Sequence, residues 1–157
     1  MPSDLTWSDL RVGQGFVSPG RTVTESDVLS FAGLTADFSP MHVDDEFARA
    51  SQFGGRIAHG LLGLGLAHGL MLGGRLLGSN AIAFLGLSEW SFSAPIMLGD
   101  TIHVEFEVAE LRLRRKDPSQ GIVTFAARVL NQHGTVTQSG RKAILMHVDQ
   151  PSADLGA

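Results

Sequence analysis

The sequence predicts an α+β domain in which an antiparallel sheet curls around one apolar helix. Three observations carry that prediction. Up to residue 77, apolar residues recur at helical spacing or merge into one long apolar run. Beyond residue 80 the period changes to two, in four stretches rich in Val, Ile, Thr and Phe that are separated by turn signals. A chain of 157 residues, 43% hydrophobic and 18% charged, is long enough for one sizeable core and too short for two. A single domain over 1–157 is expected, with its core at about 10–147.

The elements follow in order. Residues 11–23 carry Gly13, Gly15, Pro19 and Gly20 and hold at most one short strand, around "GFVS". A first helix begins at Thr24, where "TESD" sets a hydroxyl cap three residues before Asp27; Val28, Phe31, Ala32 and Thr35 then recur on one face to about Ala36. Pro40 disfavours helical geometry at Ser39, so the chain turns there. A second helix has Asp44, Asp45 and Glu46 in its first turn, where carboxylates suit the positive end of the dipole, and "FGGR" ends it. The third helix runs from about Gly60 to Leu77 and closes at "GSN". Ile57 to Leu77 has the length of a membrane span and the pairing spacing Gly65 to Gly69, but His59, His68, Arg75 and six glycines favour a helix buried in a soluble core. Gly63, Gly65 and Gly69 brush a dinucleotide fingerprint, but no β-branched strand precedes them. Four long strands then form an antiparallel meander over 81–95, 101–115, 121–132 and 135–148, separated by "MLGD", "KDPSQG" and "QHG". The tail 150–157 reads as disordered.

Composition narrows the function classes. A formal net charge of −4 without a long basic run gives no electrostatic footprint for nucleic acid or an anionic membrane, which leaves a soluble protein with a small-molecule partner. Cysteine is absent, which removes disulfides, thiolate metal sites and a cysteine nucleophile. No charged head followed by an apolar run opens the chain, so a cytoplasmic location is expected. His68, His103, His133 and His147 lack metal-ligand spacing, and neither a metal nor a cofactor is expected. Arg112, Arg114, Arg115 and Lys116 sit at a hairpin end and read as a solvated face, and Trp90 and Phe92 read as core or dimer contacts.

The segment "TADFSPMHVDDEFA" places Asp37 and His42 in the loop between the first two helices, with Pro40 between them. Carboxylate and imidazole at fixed separation make a general acid/base pair. The alternative is turn chemistry, with Asp37 capping the turn and His42 a satisfied polar residue near Asp44 and Asp45. "RIAHGLL" puts Gly60 at a helix start, where backbone N–H groups have no internal partner and the dipole favours negative charge. An oxyanion donor fits there, and so does close packing alone. No nucleophile elbow or phosphate loop competes for the role.

"TESDVLSFAGLTADFSPMHVDDEFARASQFGGRIAHGLLGLGL", with "FSAPIMLGDTI" and "VLNQHGTV", resembles the MaoC-like dehydratases, the (R)-specific enoyl-CoA hydratase family with a hot-dog fold. The likeness spans about residues 10–147. It is densest in the hydratase signature, carried by Asp37, Pro40, His42, Asp44, Ala48, Phe53, Ile57, Ala58 and Gly60.

The resemblance implies a hydro-lyase with a long central helix wrapped by a curved antiparallel sheet, assembled as a homodimer or higher homo-oligomer with CoA at the subunit interface. Asp37 and His42 would hold one water, adding its hydroxyl to the β-carbon of a trans-2-enoyl thioester and a proton to the α-carbon, reversibly. The Gly60 N–H would bind the thioester carbonyl. The substrate would be an acyl-CoA or an acyl-carrier-protein thioester, contacted by Ser39, Pro40, His59 and Gly63. Two positions depart from the pattern: Ser39 replaces the usual asparagine, and Gly63 stands where several members have an active-site serine. A hot-dog thioesterase and a non-catalytic acyl-thioester-binding subunit are the competing readings. Against the first, residues 58–77 contain no Asp or Glu; against the second, a binding module has no need of the Asp37 and His42 pair.

Overall fold

The structure, a computed structural model, describes residues 1–149 apart from 3 and 74. The expected disordered tail lies outside the described residues. Two short strands open the domain, β1 (Gly15–Val17) and β2 (Arg21–Thr22), one more than the sequence predicts. The addition is local: Arg21 and Thr22 reach the edge of β4 (Thr101–Arg114), and the Thr22 and Thr101 hydroxyls lie 2.7 Å apart. Helix α1 (Glu25–Thr35) starts at the expected capping box, in which Thr24 and Asp27 satisfy each other's backbone N–H groups. It stops at Ala36, which takes a left-handed φ of 61°.

The next segment departs from expectation. One helix was predicted from Asp44; two form, α2 (Pro40–Val43) and α3 (Asp45–Ala50), with Asp44 as the junction. Pro40 sits at the first helical position, where its fixed φ suits the turn and its missing N–H is not needed. The Asp44 carboxylate accepts from the N–H groups of Glu46 and Phe47 and so starts α3. His42 is therefore on a helix rather than in a loop.

Helix α4 (Gly60–Leu72) is the central element, and it ends five residues before the predicted Leu77. Gly73 closes it and Arg75 takes a φ of 59°, so Leu76 and Leu77 turn back fully buried into the core. Burial of α4 is one-sided. Leu62, Gly63, Ala67 and Met71 are buried, whereas Leu61 is 62% exposed, contrary to a helix enclosed all round.

The sheet runs β1-β4-β5-β6-β3, every pairing antiparallel. Its long strands are β3 (Ala81–Phe92), β4, β5 (Asp117–Leu130) and β6 (Val136–His147). β5 begins earlier than predicted because the hairpin turn is only Arg115 and Lys116. Val104, Phe106 and Val108 on β4, Val123 and Phe125 on β5, and Ile144 and Met146 on β6 form the core with α4, giving the hot-dog arrangement of sheet around helix. β3 is an edge strand, bent by register shifts near Glu89, where φ is 55°. That bend accompanies the packing of Trp90 onto the core.

Candidate active site

The site forms where the ends of α1, α2 and α4 meet. Asp37 follows the left-handed turn at Ala36 and is exposed; its carboxylate accepts from the Ser39 N–H at 3.2 Å, so it also serves the turn. His42 is buried, and its Nδ1 lies 2.8 Å from the Ile57 carbonyl. A carbonyl only accepts, so Nδ1 carries the proton and Nε2 is left for chemistry. Ile57 is itself anchored, its N–H bonded to the Met41 carbonyl. Asp44 is spent on the α3 cap, so the alternative in which it satisfies His42 fails.

His59 is the capping residue of α4 and is also buried. Its Nε2 donates to the Asp37 backbone carbonyl at 2.9 Å, and its ring stacks on His42 with centroids 3.8 Å apart and on Phe31 at 4.9 Å. One side chain thus fixes the Asp37 backbone and backs the His42 ring. One donor atom from each of Asp37, His42 and His59 lies within 4.8 Å of the others.

Gly60 begins α4, where its N–H has no intrahelical acceptor. The Phe92 ring covers it so closely that a Cβ would stand 3.0 Å from the ring edge. Gly60, Ala58, His59, Phe92, Pro95 and Gln138 line a cavity of about 330 Å³. Gly63 faces the same region: a Cβ there would fall 2.4 Å from Gln138 Nε2 and 2.6 Å from Ile96 Cδ1. The glycine is thus required by the close approach of Gln138, whose amide donates to the Gly60 carbonyl at 3.0 Å and accepts from Trp90 Nε1 at 3.2 Å.

Of the predicted residues, Asp37, His42, His59 and Gly60 converge, while Ser39 and Pro40 hold the turn between them. Gln138, Phe92 and Arg56 were missed. Arg56, with its side chain 9% exposed, bonds Glu25 of α1 and Asp45 of α3, both at 2.7 Å, and so ties together the helices that carry the site. Gln138 had a faint signal: Gln138, Gly140, Lys142 and Ile144 fall on one face of β6, so two polar residues stand in an inward-facing register.

The chain compares directly with proteins of known type. A family model described as the MaoC like domain matches residues 9–129. A 3-hydroxybutyryl-CoA dehydratase of Methylorubrum extorquens is 39% identical over 112 residues, covering 71% of this chain and 69% of that protein. An (R)-specific enoyl-CoA hydratase of Rhodospirillum rubrum is 38% identical over 119 residues, 76% of each chain. The crystal structure of a MaoC-like dehydratase from the same organism superposes with a TM-score of 0.83 at 32% identity, over 94% of this chain and 99% of that one. Sequence and architecture agree, and this chain belongs to the family of the MaoC-like domain.

Proposed function

We propose that this protein is a hydro-lyase that interconverts trans-2-enoyl and (R)-3-hydroxyacyl thioesters of CoA, or of an acyl-carrier protein. The observation that carries the reading is the convergence of the Asp37 carboxylate and the His42 imidazole beside the start of α4. Asp37 and His42 Nε2 hold one water. Asp37 takes its proton as the hydroxyl joins the β-carbon, and that proton passes by way of His42 Nε2 to the α-carbon. The Gly60 N–H holds the thioester oxygen, where enolate charge develops. The pair is then as it began, and dehydration runs the same steps in reverse. His59 keeps the pair in place, and Gln138 and Phe92 fix the helix start against the acyl thioester.

The active unit is a homodimer. Ile82, Phe84, Leu85 and Leu87 are exposed on the edge strand β3, and Leu61 is exposed on the adjacent flank of α4. A long apolar edge of this kind is a surface for pairing with a second copy. Among the described residues no helix is long and apolar enough to cross a membrane.

Two histidines and a carboxylate are also a donor set for a divalent cation. Dialysis against a chelator separates the readings: the water-holding pair keeps its activity, and a metal-activated water loses it. The main test follows loss of the conjugated enoyl absorbance with crotonyl-CoA and longer trans-2-enoyl-CoAs, with chiral analysis of the product and a thiol assay. Formation of the (R)-3-hydroxyacyl thioester is expected. Release of free CoA would instead identify a thioesterase.

A further inference from the structure

A second cavity, of about 220 Å³, lies along the exposed flank of α4 and is walled by Leu61, Leu64, Met71, Phe84, Leu87 and Trp90. Its walls are apolar with two exceptions, His68 and Lys142. Lys142 is 2% exposed, and among the described residues its ammonium group has no hydrogen-bond partner. The face of Phe84, 5.6 Å away, is its single compensation. A buried ammonium without a partner is among the costliest arrangements a core can hold. Burial lowers the Lys142 pKa to about 8, so at neutral pH the group is still mainly a cation. Burial first, then the charge of Lys142, lower His68 as well, which keeps its imidazole neutral beside the ammonium.

The cavity neighbours the site without sharing a lining residue with it. Leu61 on its wall follows Gly60, and Trp90 on its wall donates to Gln138, which bonds the Gly60 carbonyl. From Gly60 to His68 the helix advances about 12 Å, and from Gln138 to Lys142 the strand advances about 13 Å. An acyl tail that ran along α4 from a thioester held at Gly60 would reach Lys142. We propose that Lys142 reads the far end of that tail, and that the substrate class is an acyl thioester ending in a second carboxylate, paired with the Lys142 ammonium. This inference rests on the acyl-thioester reading above.

The stretch 58–88, which holds α4 and most of β3, contains no Asp or Glu. Glu89 is the first carboxylate beyond it and turns to Arg141, 3.8 Å away.

The test compares trans-2-enoyl-CoAs with trans-2-enoyl-CoAs of matched length that end in a carboxylate, on the full chain and on Lys142→Met. Calorimetry with the saturated, unreactive CoA thioesters of both series gives a readout that needs no catalysis. For the wild type we expect kcat/KM and affinity to favour the carboxylated series by about tenfold or more at one chain length, and Lys142→Met to abolish or reverse the preference. Binding preference without hydration would uphold the role of Lys142 and sink the hydratase reading. Hydration or binding of both series with equal efficiency, or a preference that survives Lys142→Met, would overturn the role of Lys142 and leave the hydratase reading intact. Absence of binding by either series would overturn it too.

Discussion

Buried bases on two sides of α4 are treated in opposite ways. Near its N-terminus, His42 and His59 each give one ring nitrogen to a backbone carbonyl, and the two rings stack. On its flank, Lys142 is as deeply buried and has no hydrogen-bond partner among the described residues. The first arrangement is preorganised: protein groups fix the rings before substrate arrives, as an acid/base pair requires. The second is incomplete until something anionic enters. In the proposed function the first would perform the reaction and the second would select what reacts.

Breaking the first region carries the largest effect. Asp37→Asn or His42→Ala is expected to lower kcat by about 10²–10⁴, while the affinity for saturated acyl-CoA measured by calorimetry stays near the wild-type value. Equal loss of binding would show that the pair orders the pocket rather than the reaction.

The second region responds in the opposite sense. The Lys142 pKa falls from the ordinary 10.5 to about 8 on burial, so between those values the unfolded chain holds a proton that the folded chain lacks. Stability therefore rises with pH across that window. Lys142→Met should raise the denaturation free energy by about 3 kcal/mol at neutral pH, and the gain should vanish above about pH 10.5. Chemical denaturation at the two pH values checks both the size and the sign.

Smaller effects sharpen the boundary between the regions. Gly63→Ser drives a side chain into Gln138 and Ile96; a loss of about 1–3 kcal/mol is expected, with weakened binding of the thioester as Gln138 leaves the Gly60 carbonyl. Thr24→Ala removes the α1 cap at about 1 kcal/mol. Burial raises the Asp27 carboxyl, but the hydrogen bonds from Thr24, with Arg21, outweigh it and hold Asp27 below its ordinary 3.8. The cap's contribution is present above that value and disappears as pH falls through the lowered one, so the variant and the wild type should converge in strong acid.

The convergence of Asp37 and His42 was legible because its parts are local. Asp37, Pro40, His42 and Gly60 fall within one segment whose turn, cap and helix start are each set by neighbours in sequence. The α1 capping box was predicted residue for residue for the same reason. Gln138, Phe92 and Arg56 were not, because their roles depend on which strand or helix lies opposite. No spacing within β6 says that Gln138 meets Gly63. The early end of α4 was missed because Leu76 and Leu77 continue an apolar run, and only their packing reveals that they belong to a returning chain. Nothing within β6 sets Lys142 apart; its inward register becomes meaningful once α4 and β3 wall it in.

The central claim is that water attacks the β-carbon and leaves the thioester whole, and turnover of a trans-2-enoyl-CoA in heavy-oxygen water tests it most directly. Mass analysis should find the label in the β-hydroxyl of an intact acyl-CoA, with no free thiol released and no labelled product from Asp37→Asn. Label in a free carboxylic acid, with CoA released in equal amount, would contradict it.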